Sequence, residues 1–294
     1  MTNPLHEDPR IGTRIGDWEI DRLLGEGGMG TVYRAIDDDG SRVALKLVKP
    51  DYARDETFRR RFYREARIAQ TVKHPHVVPV LATGEHQGLP YMAQRFIEGL
   101  TLEQRIKRDG RLDLGSVVRI CSDVAGGLEA MWAAGMVHRD VKPANILLDQ
   151  QQRAYITDFG LAKDMQGSLL TLPGQALGSM DYMAPEQIRG EDVSAASDVY
   201  ALGCVMYECV CGRPPFAHAQ GMRILWAHLQ DEPPDPRTLR ADLPPQFGSV
   251  LLLALEKEAS RRPQRAGDYA RKLAEAAGTA ASQNTSVPGE RLDS

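Results

Sequence analysis

The sequence predicts an α+β chain of two lobes, a small antiparallel β lobe carrying one helix and a larger, mainly helical lobe. Three observations predict it. Short strand-like runs punctuated by turn residues fill the N-terminal part, a single helical stripe interrupts them, and beyond Glu98-Gly99 the apolar spacing becomes helical. At 294 residues, with 42% hydrophobic and 26% charged residues, the chain is long enough for such an arrangement and too apolar to be disordered throughout.

Met1 to Gly16 is polar and contains proline but no apolar stretch of signal-peptide length, so residues 1–17 are expected to be a flexible lead-in and secretion is not expected. Strand-like segments follow at Trp18–Leu24, Thr31–Ala35 and Arg42–Lys49, separated by a glycine cluster and by Asp37-Asp38-Asp39-Gly40, which reads as an antiparallel meander. From Asp55 to Val72 the pattern is helical, with Phe58, Phe62, Ala69 and Val72 on one stripe. Glu65 lies inside that stripe, and a carboxylate on a buried face requires a cation, because desolvating it alone costs on the order of several kcal/mol. Two more strands, Val77–Ala82 and Pro90–Phe96, lead to the lobe boundary, placing the lobes at about 18–96 and 99–276. Thr101 with Gln104 forms a capping box for a short helix ended by Gly110, and Val117 to Ala134 is a long amphipathic helix stopped by Gly135. Further helices are expected over 198–211, 221–230, 247–259 and 265–276, and residues 277–294 are expected to be a disordered tail or linker.

A net charge of -4 gives no electrostatic reason to expect nucleic acid or an anionic membrane as ligand. Cys121, Cys204, Cys209 and Cys211 are too few and too clustered for a disulfide framework, and Cys209 and Cys211 lack the partners of a zinc site, which points to a reducing cytosol. The most apolar stretch, Val199 to Cys211, contains Glu208 and lies between Asp198 and Arg213, so it reads as a buried helix and not as a membrane span. His74-Pro75-His76 has no third ligand nearby in sequence and reads as a connecting loop.

The chemistry starts at Gly25-Glu26-Gly27-Gly28-Met29-Gly30, a G-x-G-x-x-G between two strands. Alone it is equally well a glycine-rich hairpin, and it continues into Thr31-Val32-Tyr33-Arg34 instead of the helix of a dinucleotide site. Sixteen residues after Gly30 comes Lys46, in Val43-Ala44-Leu45-Lys46, which supplies the cation that Glu65 requires. The most specific signal is His138-Arg139-Asp140-Val141-Lys142-Pro143-Ala144-Asn145, followed by Ile146-Leu147-Leu148 and then Asp158-Phe159-Gly160.

With these motifs the sequence resembles the Hanks-type serine/threonine protein kinases over roughly Trp18 to Ala276, and its glycine-loop wording and Ala/Arg-rich composition look like the bacterial branch. The resemblance implies the protein-kinase fold and transfer of the ATP γ-phosphate to serine or threonine of proteins, with Mg²⁺ and, as a substitute, Mn²⁺. It implies that Gly25, Gly27, Gly28 and Gly30 cover phosphates while Leu24, Val32, Ala44 and Leu147 form the adenine slot, residues whose plain reading is core packing. Lys46 with Glu65 would hold the α- and β-phosphates, Asn145 and Asp158 the metal. Asp140 would accept the hydroxyl proton, Lys142 would neutralise the transferring phosphoryl, and Ser179 would bridge the two near the acceptor. Phosphoryl transfer requires positioning and charge neutralisation more than covalent chemistry, and this set supplies both.

Asp158 to Glu186 corresponds to an activation segment ending in Ala184-Pro185-Glu186. Thr171 is its expected autophosphorylation site, Ser168 the runner-up, and Arg139 the basic group that docks the phosphate. Asp198 would support the catalytic loop, and Glu186 would pair with Arg262, although Arg261 is adjacent. Gln94 stands where related kinases carry a large apolar residue at the back of the ATP pocket, and Arg95 replaces a more usual glutamate. Arg59, Arg60, Arg61, Arg64 and Arg67 read better as a solvated helix face than as a phosphate dock. A pseudokinase scaffold is disfavoured by the intact Lys46, Asp140, Asn145 and Asp158, and a small-molecule phosphotransferase by Ala184-Pro185-Glu186 with its arginine. Protein substrates are the expected partners, with homodimer contact for activation and no nucleic acid. The expected location is the cytoplasm, or a membrane tether if the native chain continues beyond residue 294.

Overall fold

The computed structural model describes residues 8–158, 177–219 and 221–284. Its upper lobe contains β1 (Arg14–Ile15), β2 (Trp18–Glu26), β3 (Gly30–Ile36), β4 (Arg42–Val48), α1 (Pro50–Ala53), α2 (Glu56–Thr71), β5 (Val80–His86) and β6 (Leu89–Arg95). The strands form one antiparallel six-stranded sheet in the order β1-β2-β3-β4-β6-β5. The lower lobe adds β7 (Gly99–Thr101), α3 (Leu102–Asp109), α4 (Leu114–Ala133), β8 (Ile146–Asp149), β9 (Ala154–Ile156), α5 (Pro185–Arg189), α6 (Ala195–Cys211), α7 (Met222–Gln230), α8 (Pro245–Leu253) and α9 (Ala266–Asn284). Strands β7, β8 and β9 make a small second sheet where the lobes meet. A side chain at Gly99 would overlap the Leu148 carbonyl, so only glycine lets β7 lie this close to β8.

The register of the upper sheet decides what faces the cleft. Val32 pairs with Lys46, Ala44 with Gln94 and Lys46 with Met92, so all five share one face. The alternate residues Tyr33, Ala35, Val43, Leu45 and Leu47 bury on the other face with Ile15, Trp18, Ile20 and Tyr91. A slip by one residue would send Lys46 into that apolar core.

Helix α2 is capped by Asp55, which accepts from the backbone of Thr57 at 2.8 Å and Phe58 at 3.2 Å, and its buried stripe is Phe58, Phe62, Ala66 and Ala69. The Thr101 and Gln104 capping box forms in both directions. Helix α6 is buried along nearly its whole length, as its composition requires. Among the described residues no helix is long and apolar enough to cross a membrane. All four cysteines are unbridged and buried, and burial raises each thiol pKa, that of Cys211 to about 11.

Several boundaries differ from expectation, among them α8, which ends at Leu253 and not at 259. Residues 8–17, expected as a flexible lead-in, carry strand β1 and specific anchors: Ile15 is 1% exposed, and the Tyr33 hydroxyl donates to Asp8 and accepts from Arg10. Helix α4 starts at Leu114 because Asp113 caps it through the Ser116 backbone, and α6 starts at Ala195 under a Ser194 cap, placing Asp198 in its first turn. Helix α9 continues to Asn284, well past Ala277, in agreement with the helix propensity of its alanines.

Glu208 of α6 accepts a 2.5 Å hydrogen bond from the Tyr182 hydroxyl, and burial, helped by Asp181, pushes its carboxyl up to about 7. Between the ordinary value of 4.5 and about 7 the folded protein therefore keeps a proton that the unfolded chain releases, so this group's contribution to stability falls as pH rises through that window. Glu208→Gln is expected to remove this slope and to gain on the order of 1–3 kcal/mol over the parent at pH 8. Parallel melting curves for parent and variant from pH 5 to pH 8 would contradict it.

Candidate active site

Between α4 and β8 the chain forms an irregular loop, His138–Asn145, whose shape is imposed from α6. Asp198, 1% exposed, accepts the backbone N–H groups of His138 and Arg139 at 2.8 Å each and the Trp132 indole N–H at 2.9 Å. The fully buried His138 ring accepts the Asp140 backbone N–H at Nδ1, 3.2 Å, and donates from Nε2 to the Thr157 carbonyl, 3.0 Å. Arg139 has φ 65°, a left-handed conformation that costs a non-glycine residue about 1–2 kcal/mol. Its peptide is held on both sides, by Asp198 at the N–H and by the Gln187 side chain, which donates to the Arg139 carbonyl at 3.0 Å.

Asp140 is gripped within the loop. Lys142 Nζ lies 2.9 Å from Oδ2, and Asn145 Nδ2 donates to the Asp140 carbonyl at 2.9 Å and to Oδ2 at 3.1 Å. Across the cleft, Lys46 Nζ donates to Asp158 Oδ1 at 2.7 Å, joining the upper sheet to the end of the lower one. This corrects the expected pairing: among the described residues the ammonium closes on Asp158, and no ion pair joins it to Glu65. The reason is local. Thr157 is tied by its N–H to the Asn145 carbonyl at 3.0 Å, and a left-handed backbone at Asp158, φ 57°, delivers its carboxylate to the Lys46 ammonium. Glu65, its side chain 12% exposed, has Arg64 at 3.8 Å.

The glycine turn closes on itself through Gly27 N–H to the Gly30 carbonyl at 2.9 Å, and the Lys49 N–H donates to the Met29 carbonyl at 2.9 Å. A Cβ on Gly30 would stand 2.7 Å from the Leu47 carbonyl, so β3 and β4 approach this closely only with glycine there. Val32 and Ala44 are half-buried on the cleft face, Leu24 is 43% exposed, and Leu147 packs from below beside Val78, Ile97 and Tyr155. Apolar side chains presented from both lobes fit a flat base. Asn145 spends its NH₂ on Asp140, leaving its carbonyl oxygen as the ligand end. With the Asp158 carboxylate this makes a hard-oxygen pair suited to a divalent cation whose remaining ligands are phosphates and water. Among the described residues no cluster of three or more His, Cys, Asp or Glu is arranged to hold a metal by itself.

Below the cleft, Glu186 and Arg262 form a bidentate pair at 2.7 and 2.8 Å, only 6% and 2% exposed. Ser197 donates to Glu186 at 2.7 Å, while Arg262 also donates to the carbonyls of Ala196, Glu256 and Lys257 and lies over the Tyr200 ring. Burial opposes the charge on Glu186, but the Arg262 and Ser197 hydrogen bonds outweigh it and hold the carboxyl below its ordinary range. Arg261 is exposed, which leaves Arg262 as the partner. Ser179 belongs to the turn Leu177–Tyr182, just before Ala184-Pro185-Glu186. Thr171 and Ser168 lie outside the described residues.

The protein kinase domain family matches residues 18–272 of this chain. The chain belongs to that family. It is 40% identical over 264 residues to the serine/threonine-protein kinase PknD of Mycobacterium tuberculosis, covering 89% of this chain and 40% of the relative. It is 39% identical over 265 residues to PknH of the same organism, covering 90% and 42%. The crystal structure of the M. tuberculosis PknI kinase domain superposes with a TM-score of 0.75 at 32% identity, covering 91% of this chain and 98% of that one. The chain has the two-lobed protein-kinase fold and is similar to bacterial serine/threonine kinases, and the family in general uses ATP and a divalent metal. It spans about two fifths of the length of the PknD and PknH relatives.

In this kinase domain the sequence reading missed Gln187, which accepts the Ala184 N–H at 3.0 Å while donating to the Arg139 carbonyl and so ties α5 to the loop. Its signal was present, because a glutamine three residues after Ala184 is placed to close a helix N-terminus. Trp132 and Thr157, which brace Asp198 and His138, left no such local signal.

Proposed function

We propose that this domain carries out metal-assisted phosphoryl transfer from ATP to serine or threonine hydroxyls, with Asp140 as the group that orients and accepts the hydroxyl proton. The observation that carries the reading is the pairing of Lys46 with Asp158 across the cleft from the Asp140, Lys142 and Asn145 cluster. Mg²⁺, or Mn²⁺ in its place, held by Asn145 and Asp158, would supply neutralisation of phosphate oxygens. Lys142, already within ion-pair distance of Asp140, lies beside the carboxylate and stabilises negative charge that gathers on the transferring group. Lys46 binds phosphate oxygens from above, aided by the turn Gly25, Gly27, Gly28 and Gly30, while Leu24, Val32, Ala44 and Leu147 exclude water around the base. Asp158 steadies Lys46 in this arrangement, and Ser179 orients the acceptor beside Asp140 and Lys142.

Arg139 receives a phosphate on Thr171, or on Ser168, that the domain places there itself. Asp198 and the Glu186 and Arg262 pair support the loop and the protein-substrate platform. Activation by contact between two copies and a cytoplasmic location complete the proposal, and the buried thiols agree with a reducing compartment.

The test is to incubate the purified chain with Mg-ATP and map the phosphate gained. Phosphate on Thr171 or its neighbours is expected. An unchanged intact mass, with a generic protein acceptor also unmodified, would overturn the proposal.

A further inference from the structure

Gln94 of β6 is left unused by the chemistry above. It is 5% exposed, and its Nε2 is buried without a hydrogen-bond partner among the described residues. Buried polar atoms in folded proteins nearly always find partners, so an orphaned amide donor calls for one that arrives from outside.

The sheet register says where this amide lies. Gln94 pairs directly with Ala44, two residues from Lys46, so it projects from the face that sends Lys46 to Asp158. Its Oε1 accepts from the Thr157 hydroxyl at 3.5 Å, a long hydrogen bond to the residue just before Asp158. The amide oxygen is thus tethered toward the floor of the cleft and the NH₂ is the end left as donor, on the face of the half-buried Ala44 with which Gln94 pairs.

Adenine presents on its Hoogsteen edge an acceptor, N7, next to a donor, the N6 amino group, and a glutamine amide is complementary to that pair. We propose that Gln94 reads this edge, donating from Nε2 to N7 of the bound adenine. The proposal rests on the nucleotide reading above and adds to it a side chain that recognises the base by hydrogen bonding as well as by shape. An apolar residue of similar length would fill the same volume with no donor.

The test is a calorimetric titration of the purified chain with Mg-ADP and with its 7-deaza analogue, in which N7 is replaced by C–H. The parent is expected to bind the analogue about 5- to 30-fold more weakly, the range of one good base-edge contact. Gln94→Met is expected to bind the two within about twofold of each other, having lost the donor. Equal binding of both nucleotides by the parent overturns the proposal, because a water molecule then satisfies the amide. An undiminished preference in Gln94→Met overturns it too, by assigning the N7 contact to another group. The comparison on the parent stands without any variant, so a poorly folded Gln94→Met leaves the test intact. Absence of ADP binding removes the nucleotide reading along with the proposal, whereas ADP binding without N7 dependence removes the role of Gln94 alone.

Discussion

Asp140→Asn is expected to lower the rate of phosphate incorporation about 10³-fold, within the range general-base groups contribute, while ADP affinity stays within about twofold. The substitution keeps the side-chain shape. It removes the charge that Lys142 approaches at 2.9 Å and offers Asn145 an amide in place of a carboxylate. The loop itself is held elsewhere, by Asp198 and His138, so the effect should fall on the chemical step and not on folding. Initial rates with a peptide acceptor, alongside calorimetric ADP binding, separate the two. A rate within tenfold of the parent would remove Asp140 from the proposed role.

Arg262→Ala is expected to be the most destabilising single change described here, by about 3–5 kcal/mol, with Tm falling by roughly 10 °C. The loss leaves the Glu186 carboxylate buried with Ser197 as its remaining side-chain donor among the described residues, and it also strips a guanidinium partner from three backbone carbonyls. A charge left buried without its partner costs more than the pair ever contributed. The double substitution Glu186→Leu with Arg262→Met should recover part of the loss, since it removes the orphaned charge. A single variant melting within about 2 °C of the parent would show that α5 and its neighbours rearrange to let water reach Glu186.

Periodicity located the amphipathic elements because each buries one face, written in the local spacing of apolar residues, whereas α6, buried almost all round, is marked by its continuous apolar run. Periodicity was less able to locate ends. Asp113 and Ser194 start their helices earlier than the apolar stripe does, because a cap is a side-chain hydrogen bond and not a pattern of hydrophobicity. Residues 8–17 looked loose since their anchors, Ile15 and the Asp8, Arg10 and Tyr33 contacts, join positions far apart in sequence. In the site, motif spacing named the groups but not the partnership at the cleft. A buried carboxylate at Glu65 calls for a cation and Lys46 answers that description, but spacing does not show that the Asp158 carboxylate, 112 positions away, competes for the same ammonium. Arg262 is preferred to the adjacent Arg261 by its place before Pro263, and the fold shows that it is the one that faces inward to Glu186.

Asp198 gathers His138, Arg139 and Trp132 onto one carboxylate rooted in the first turn of α6, so the loop and that helix travel as a single rigid piece. Hinging of the upper lobe would stretch or shorten the reach from Lys46 while leaving the aim of Asp140 unchanged. Breathing of the cleft would then govern when a nucleotide is admitted and let go, with the geometry that acts on the acceptor already set beforehand.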